Sequence, residues 1–441
     1  MVVITVDPVP AKALGAFNGL ADRDTRLSAP ITNPPGQKLQ GFGGALNLNV
    51  TATGAFTGTL KLEGKSHSLP GRLDTHGASG YPTTTVIIRR GAGIPNLTLN
   101  LTIHADTAEL TGTLTDGLIT PPVNVRAWRN PWLVSPKVEL HNPATALATK
   151  YTAALTIADR DLVGDSTFPQ GRGYGTLTIS PAGIATLSGM LADGTSITQT
   201  TTTGPHGEIA LHWMLYGNTG SAQGWMQATE GPSALLLGDN LFDTMLDLTQ
   251  ADPEGQPWFD WCKKQQAASS KTLSYKGGFA LHKLVIAGSS YDPAEGQPVL
   301  GLPVASPNAK ITFRHGGIET SVTYLNHANG GPAASLVGRA VEITALNDVV
   351  LPSLNPAAIG ININTTTGAL TGSFTLVNDP DPTRPGILLP RKVNYTGLLI
   401  PRLGIGVGQY QLPELPSFGP PKTTLTTSPK WSGEMLLEPL P

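Results

Sequence analysis

Apolar and small polar residues alternate through most of this chain, and the alternation comes in copies. In Asn49-Val50-Thr51-Ala52-Thr53-Gly54-Ala55-Phe56-Thr57-Gly58-Thr59-Leu60, two short alternating runs flank a Thr-Gly turn. Period-two alternation marks a half-buried strand, and a turn glycine supplies the positive φ that a tight hairpin needs. Residues 104–114, 180–191 and 364–374 repeat the phrase, and residues 217–225 offer a fifth version. The pattern predicts a β protein built from copies of one hairpin.

Further strands are predicted at 65–73, 83–90, 97–104, 110–115 and 123–128, which with the first hairpin make a unit over 15–132. The opening Phe17-Asn18-Gly19-Leu20-Ala21-Asp22-Arg23-Asp24 is echoed by residues 151–161, down to a second Ala-Asp-Arg-Asp tetrad. A second unit therefore spans 150–261, with strands at 173–179, 196–203, 208–216 and 222–228. Both units end on paired tryptophans, Trp128 with Trp132 and Trp258 with Trp261. A third unit, 273–441, carries strands at 278–287, 310–315, 340–346, 359–364 and 431–437. Its copy of the opening phrase, Tyr395-Thr396-Gly397-Leu398, sits late, as in a permuted repeat. Residues 1–14 read as a lead-in strand and link. Helical patterning is confined to 259–268 and, more weakly, 235–248.

Strands at roughly ten-residue spacing with turn signals predict an all-β fold of two to three antiparallel units, meander barrels or sandwiches. Barrels are favoured, because sequential hairpins close easily and closure removes exposed sheet edges.

Composition narrows the function classes. Only 14% of the residues are charged and the net charge is -2, without a basic stripe. Nucleic-acid binding, which needs clustered Lys and Arg against phosphates, is not expected. Cys262 is the sole cysteine, so neither an internal disulfide nor a cysteine metal site is available. No apolar run approaches the roughly 18 residues of a membrane span. Few charges, one cysteine and much threonine suggest a secreted or cell-surface bacterial chain. Residues 1–6 lack the basic and apolar regions of a signal peptide, so the chain is expected to be part of something longer.

The order of phrases resembles the repeat-rich β region near the C-terminal ends of large secreted proteins of Verrucomicrobia and related bacteria. The carriers are the openings Phe17–Leu20 and Tyr395–Leu398, the hairpins at 51–58 and 366–372, Trp261 before Gly278-Phe279, and Ser432-Gly433 near the end. Together they span most of residues 15–438. The resemblance implies export and a β fold, and carries no catalytic residues with it.

The sharpest polar repeat is the pair of tetrads. In extended chain, residues two apart share a face, so Asp22 with Asp24, and Asp159 with Asp161, could point at one ion. Calcium prefers several such oxygens. The plain alternative is a strand end where Asp caps a turn. Asp116-Gly117 and Asp193-Gly194 read as hairpin turns, with a catalytic carboxylate at Asp193 as the sharper reading. His212, on a predicted strand, is the candidate base. Cys262 lies beside Lys263 and Lys264, which could lower its pKa. No His-Glu-x-x-His, nucleophile elbow, phosphate loop or dinucleotide fingerprint is present. Most tryptophans read as plugs between units. Trp213 and Trp225, on neighbouring strands, could line a groove and stack on sugars.

Two functions follow. The first is an extracellular binding or structural module, contacting a glycan or other small-molecule ligand. The second is a calcium-assisted hydrolase of ester, lactone or glycosidic bonds, with Asp159 and Asp161 holding Ca2+ and His212 as base. A binding module predicts a concave face of tryptophan and amides; an enzyme predicts carboxylates and histidine converging in one cleft.

Overall fold

The computed structural model describes residues 9–24, 41–75, 80–133, 147–229, 241–244, 259–293, 298–303, 305–328 and 336–440. Three antiparallel sheets each curl into a nearly closed barrel with eight strands around the wall, and the first two carry a ninth strand that pairs alongside. Barrel one contains β1 (Gly15–Ala21), β2 (Gly44–Val50), β3 (Ala55–Leu62), β4 (Lys65–Ser68), the two-residue β5 (Gly71–Arg72), β6 (Thr83–Ile88), β7 (Leu97–His104), β8 (Glu109–Thr115) and β9 (Val123–Arg129). Barrel two contains β10 (Lys150–Ile157), β11 (Gly173–Ile179), β12 (Ile184–Met190), β13 (Ser196–Thr202), β14 (Glu208–Leu215), β15 (Gly220–Thr229), β16 (Leu241–Thr244), β17 (Phe259–Lys263) and β18 (Phe279–Ser290). Barrel three contains β19 (Ala309–His315), β20 (Arg339–Ile343), β21 (Val349–Val350), β22 (Gly360–Asn364), β23 (Ala369–Leu376), β24 (Arg391–Ile400), β25 (Ile405–Pro413) and β26 (Lys430–Pro439). A short helix, α1 (Val322–Ala328), interrupts it.

Each barrel is a meander whose first and last strands pair: β1 with β9, β10 with β18, β19 with β26. The seams of the first two barrels lie midway along the meander and are each bridged at one point, Asp74 to Thr83 and Thr203 to Ile209. In barrel three β21 and β22 face each other across the equivalent gap.

Alternation explains the inside and the outside. Along β7, Leu97, Leu99, Leu101 and Ile103 are buried while Thr98, Asn100, Thr102 and His104 point away from the core. The barrels are filled by such side chains. Barrel one holds Leu46, Phe56, Leu60, Leu110 and Leu114. Barrel two holds Tyr151, Met226, Phe259 and Trp261. In barrel three Phe313, Phe374, Tyr395 and Tyr410 pack ring to ring. Fully burying each such residue contributes roughly 1.5–3 kcal/mol.

The repeated hairpin brings paired strands close together. Its turn residue takes a positive φ at Gly54, Gly183 and Gly368, and Ala108 does the same in the second copy. The glycine four or more residues later lies in the strand. A Cβ at Gly58, Gly112, Gly189 or Gly372 would fall 2.0–2.3 Å from a carbonyl oxygen of the partner strand. Only glycine permits that approach, so this repeated position lets the partner strand come close.

Two expectations change. Residues 259–268 were expected as a helix, but Phe259, Trp261 and Lys263 point inward as alternate residues of β17. The strand expected to open unit three, Phe279–Ser290, instead pairs with β10, β16 and β17 in the second sheet. Of the lead-in, residues 1–8 lie outside the described residues, and Ala11–Ala13 forms a 3-10 turn. Of the weaker helical stretch, Leu241–Thr244 is strand β16 and the rest lies outside the described residues. No helix among the described residues is long and apolar enough to cross a membrane.

Candidate functional site

With the barrels filled, their polar side chains gather at two junctions. At the first, the outer face of β1 and β2 lies against β13 and β14. Leu20 and Trp128 of barrel one pack on Ala210 and Trp225 of barrel two. Arg23, just beyond β1, reaches across. Its Nε donates to Asp260 Oδ1 at 2.6 Å, and Nη1 donates to Ser221 Oγ at 2.6 Å and to the Gly41 carbonyl at 3.0 Å. Burial pushes the Asp260 carboxyl up, against the pull of the Arg23 guanidinium, and Asp22 nearby adds to the rise.

At the second junction, β10 and β11 lie against β24 and β25. Ala154 and Tyr174 meet Ile400, Ile405, Val407 and Leu436. Glu434 forms ion pairs with both Arg172 of barrel two and Arg314 of barrel three. The Tyr275 hydroxyl lies 2.9 Å from Ser432 Oγ, and the Gln411 amide donates to the Ala192 carbonyl at 3.2 Å.

The expected site residues are dispersed over these features. His212 is buried at the first junction, its Nε2 bound to the Phe42 carbonyl at 3.1 Å. Burial lowers its pKa to about 4, so the ring is neutral at pH 7. Asp193 is buried at a hairpin turn: Oδ1 accepts from the Thr195 amide, and Oδ2 accepts from the Tyr216 hydroxyl at 2.7 Å. Tyr216 in turn accepts from the Trp261 indole at 3.0 Å. His212 and Asp193 thus share no partner, and Asp193 serves the interior of barrel two rather than an open cleft.

The two tetrads behave differently. Asp159 precedes a 3-10 turn and accepts from the Lys283 amide at 2.9 Å, while Arg160 and Asp161 are exposed. Asp22 is exposed beside Asn124, and Asp24 is half-buried. Among the described residues, no group of three His, Cys, Asp or Glu side chains is placed to hold a metal ion.

Trp213 lies in the core of barrel two, edge-on to Phe259, with its indole donating to the Thr198 carbonyl. Trp225 is buried at the first junction. Neither ring presents a face to solvent, so the groove expected between them is absent from these residues. Cys262 and Lys263 face opposite ways. Lys263 points into barrel two, donating to the Ser274 carbonyl at 2.7 Å above the Tyr216 ring, and Lys264 lies over Phe42. Cys262 has Arg23 Nη1 3.7 Å from its sulfur.

Two recesses open at the junctions. The first, about 400 Å³, is lined by Asn18, Asn47, Thr59, Lys61, Gln199 and Thr200, with His212 at its floor. The second, about 390 Å³, lies where a loop of barrel two meets barrel three and is lined in part by Trp431. Sequence reasoning set Trp431 aside as a plug, because its recess is assembled from segments far apart in the chain.

No family model matches the chain, and no curated protein gives a significant match. Among solved structures, a double mutant of Transferrin Binding Protein B from Haemophilus parasuis Hp5 is 8% identical, with 96% of this chain and 75% of that one covered and a TM-score of 0.20. A single mutant of the same protein is 9% identical, covering 99% and 77%, with a TM-score of 0.21. A protein of unknown function from the DUF3598 family of Nostoc punctiforme is 13% identical, covering 64% and 98%, with a TM-score of 0.15. Likenesses at this level say nothing about function.

Proposed function

We propose that the chain is a β-rich binding or structural module of a secreted or surface-exposed bacterial protein, holding its ligand-contacting surfaces at the barrel junctions. One observation carries this reading: all three barrels are packed with their own side chains. A ligand is therefore met from outside, and the two recesses at the junctions offer it concave surfaces among the described residues. Interlocking across both junctions supports a rigid array, since each buries apolar contacts and an ion pair. The resemblance to repeat-rich secreted bacterial proteins and the low charge support the setting.

The test is calorimetric unfolding of the full chain beside a screen of ester, lactone and glycoside substrates. The module reading expects coupled unfolding of the barrels and no turnover. Turnover abolished by His212→Gln would overturn it in favour of the hydrolase. A calcium titration tests the metal: a rise in melting temperature that vanishes in Asp159→Asn would place an ion at that tetrad.

A further inference from the structure

We propose that the recess at the second junction is a subsite for a neutral saccharide, with Trp431 as its stacking platform. The inference rests on the module reading and names the ligand class of one surface.

The recess joins chemistry that a pyranose requires. A sugar ring offers an apolar C–H face and a rim of hydroxyls, and an aromatic face is the natural partner for the first. Trp431 is half-buried at the start of β26 and lines the recess. Its ring is held from two directions. Tyr275 meets it edge-on, with centroids 5.3 Å apart and planes at 84°. Its indole N–H donates to Glu414 Oε1 at 2.7 Å. A ring fixed in this way loses little side-chain freedom when a ligand settles on it.

The walls supply both remaining needs. Half-buried Leu415 extends the apolar surface beside the indole, backed by Leu412 of the barrel-three core. Ser166, from the loop after β10 of barrel two, and Thr320, from barrel three, bring hydroxyls to it. Glu414 is exposed, and with one oxygen on the indole its other oxygen is available to accept from a sugar hydroxyl. Gly317, in the left-handed region at φ 80°, lines the recess with no atom within 4 Å of where a Cβ would stand, so backbone is open to a ligand there.

Charge selects among sugars. Arg391 also lines the recess, but its guanidinium is committed to Asp379, at 2.7 Å, and to the Pro413 carbonyl. The exposed charge is then the Glu414 carboxylate, which favours neutral sugars and repels uronic or sialic acids. The first recess contrasts with this one: it is lined by amides, hydroxyls and Lys61, and its one ring is the buried His212 imidazole rather than a tryptophan.

The test uses the full chain on an array of neutral and acidic oligosaccharides, followed by titration calorimetry with the best neutral binder. Three variants are compared. Ser166→Trp fills the recess from barrel two while leaving Trp431 itself in place. Trp431→Ala removes the platform, with thermal unfolding checking that the junction survives. Glu414→Gln removes the charge. Binding of neutral oligosaccharides is expected, reduced at least tenfold by Ser166→Trp and by Trp431→Ala. Glu414→Gln is expected to weaken it several-fold and to narrow the preference over acidic sugars. Neutral-glycan binding that survives Ser166→Trp unchanged would overturn the site while leaving the module reading intact. No binding of any neutral oligosaccharide by the wild-type chain would overturn the saccharide assignment, and the calorimetric test of the module would stand apart from it.

Discussion

The two junctions solve one problem with different chemistry. The first is closed by a single guanidinium–carboxylate pair, Arg23 with Asp260, beside a buried neutral histidine and a small cluster of two tryptophans, a leucine and an alanine. The second has a broader aliphatic contact, and its buried Glu434 is shared between two arginines. The tetrads sharpen the contrast. Ala-Asp-Arg-Asp follows β1 and β10 alike, yet Arg23 spans a junction while Arg160 lies in solvent. The same four residues act as a bolt where the arginine reaches a carboxylate of another barrel and as a turn where it stays in solvent. A repeated motif in a tandem protein therefore takes its role from its neighbour.

Acid is expected to part these junctions most strongly. His212 has a folded pKa of about 4 against an ordinary value of 6.5. The unfolded chain binds the extra proton between those values. Its contribution is thus complete above pH 6.5 and lost as pH falls towards 4, to the order of 3 kcal/mol. His282, buried in barrel two with its pKa also near 4, loses stability over the same window. Unfolding free energy measured from pH 7 to 4 should therefore fall in the wild type and fall less steeply in His212→Gln. Equal slopes would mean that the buried His212 ring does not make the first junction acid-sensitive.

Removing the bolt comes next. Arg23→Ala leaves Asp260 without its cation, and loss of one partner from a buried pair costs about 3–5 kcal/mol. Asp260 keeps 20% of its side-chain surface open, which moves the expected loss to about 2–3 kcal/mol in urea unfolding. Arg160→Ala, at the exposed copy, should change stability by less than about 0.5 kcal/mol. Similar losses from both would dissolve the distinction between the tetrads.

Glu434→Gln should cost less than Arg23→Ala, about 1–2 kcal/mol, because a partly exposed Arg314 and Arg172 can turn to water. A larger loss would show that the shared carboxylate, rather than the aliphatic contact, holds the second junction.

Much of the fold was legible because strands are a local matter. Leu97–His104 was bounded in full by its alternation, and Gly54 and Gly183 marked their turns. β17 was misread because Lys263, an inward residue, breaks the apolar pattern: its ammonium finds the Ser274 carbonyl and the Tyr216 ring inside the barrel. Helix α1 carried no clear signal in so short a span. The candidate site was harder, since its partners are distant in sequence. Nothing near Arg23 announces Asp260, and nothing near Trp431 announces Ser166 or Gly317. Trp213 and Trp225 sat on neighbouring strands as expected, but alternation alone did not say that one ring faced the core and the other a second barrel.

Closure of each barrel by its terminal strands bears on how the chain acquires its shape. Phe17 pairs early with Leu48 but finds its second partner only when Arg129 arrives, and Tyr151, already beside Leu177, only when Ser290 does. Such distant pairings fold slowly, since the intervening loop must be ordered before the contact forms. A chain emerging N-terminus first would carry each half-built barrel with an open strand edge until its last strand appears. The outer positions of β2 and β3, Asn47, Asn49, Thr57, Thr59 and Lys61, keep the outside of the half-built sheet polar meanwhile. Assembly should then proceed as a sequence of latches, one barrel at a time, with the junctions setting only after both neighbours have shut.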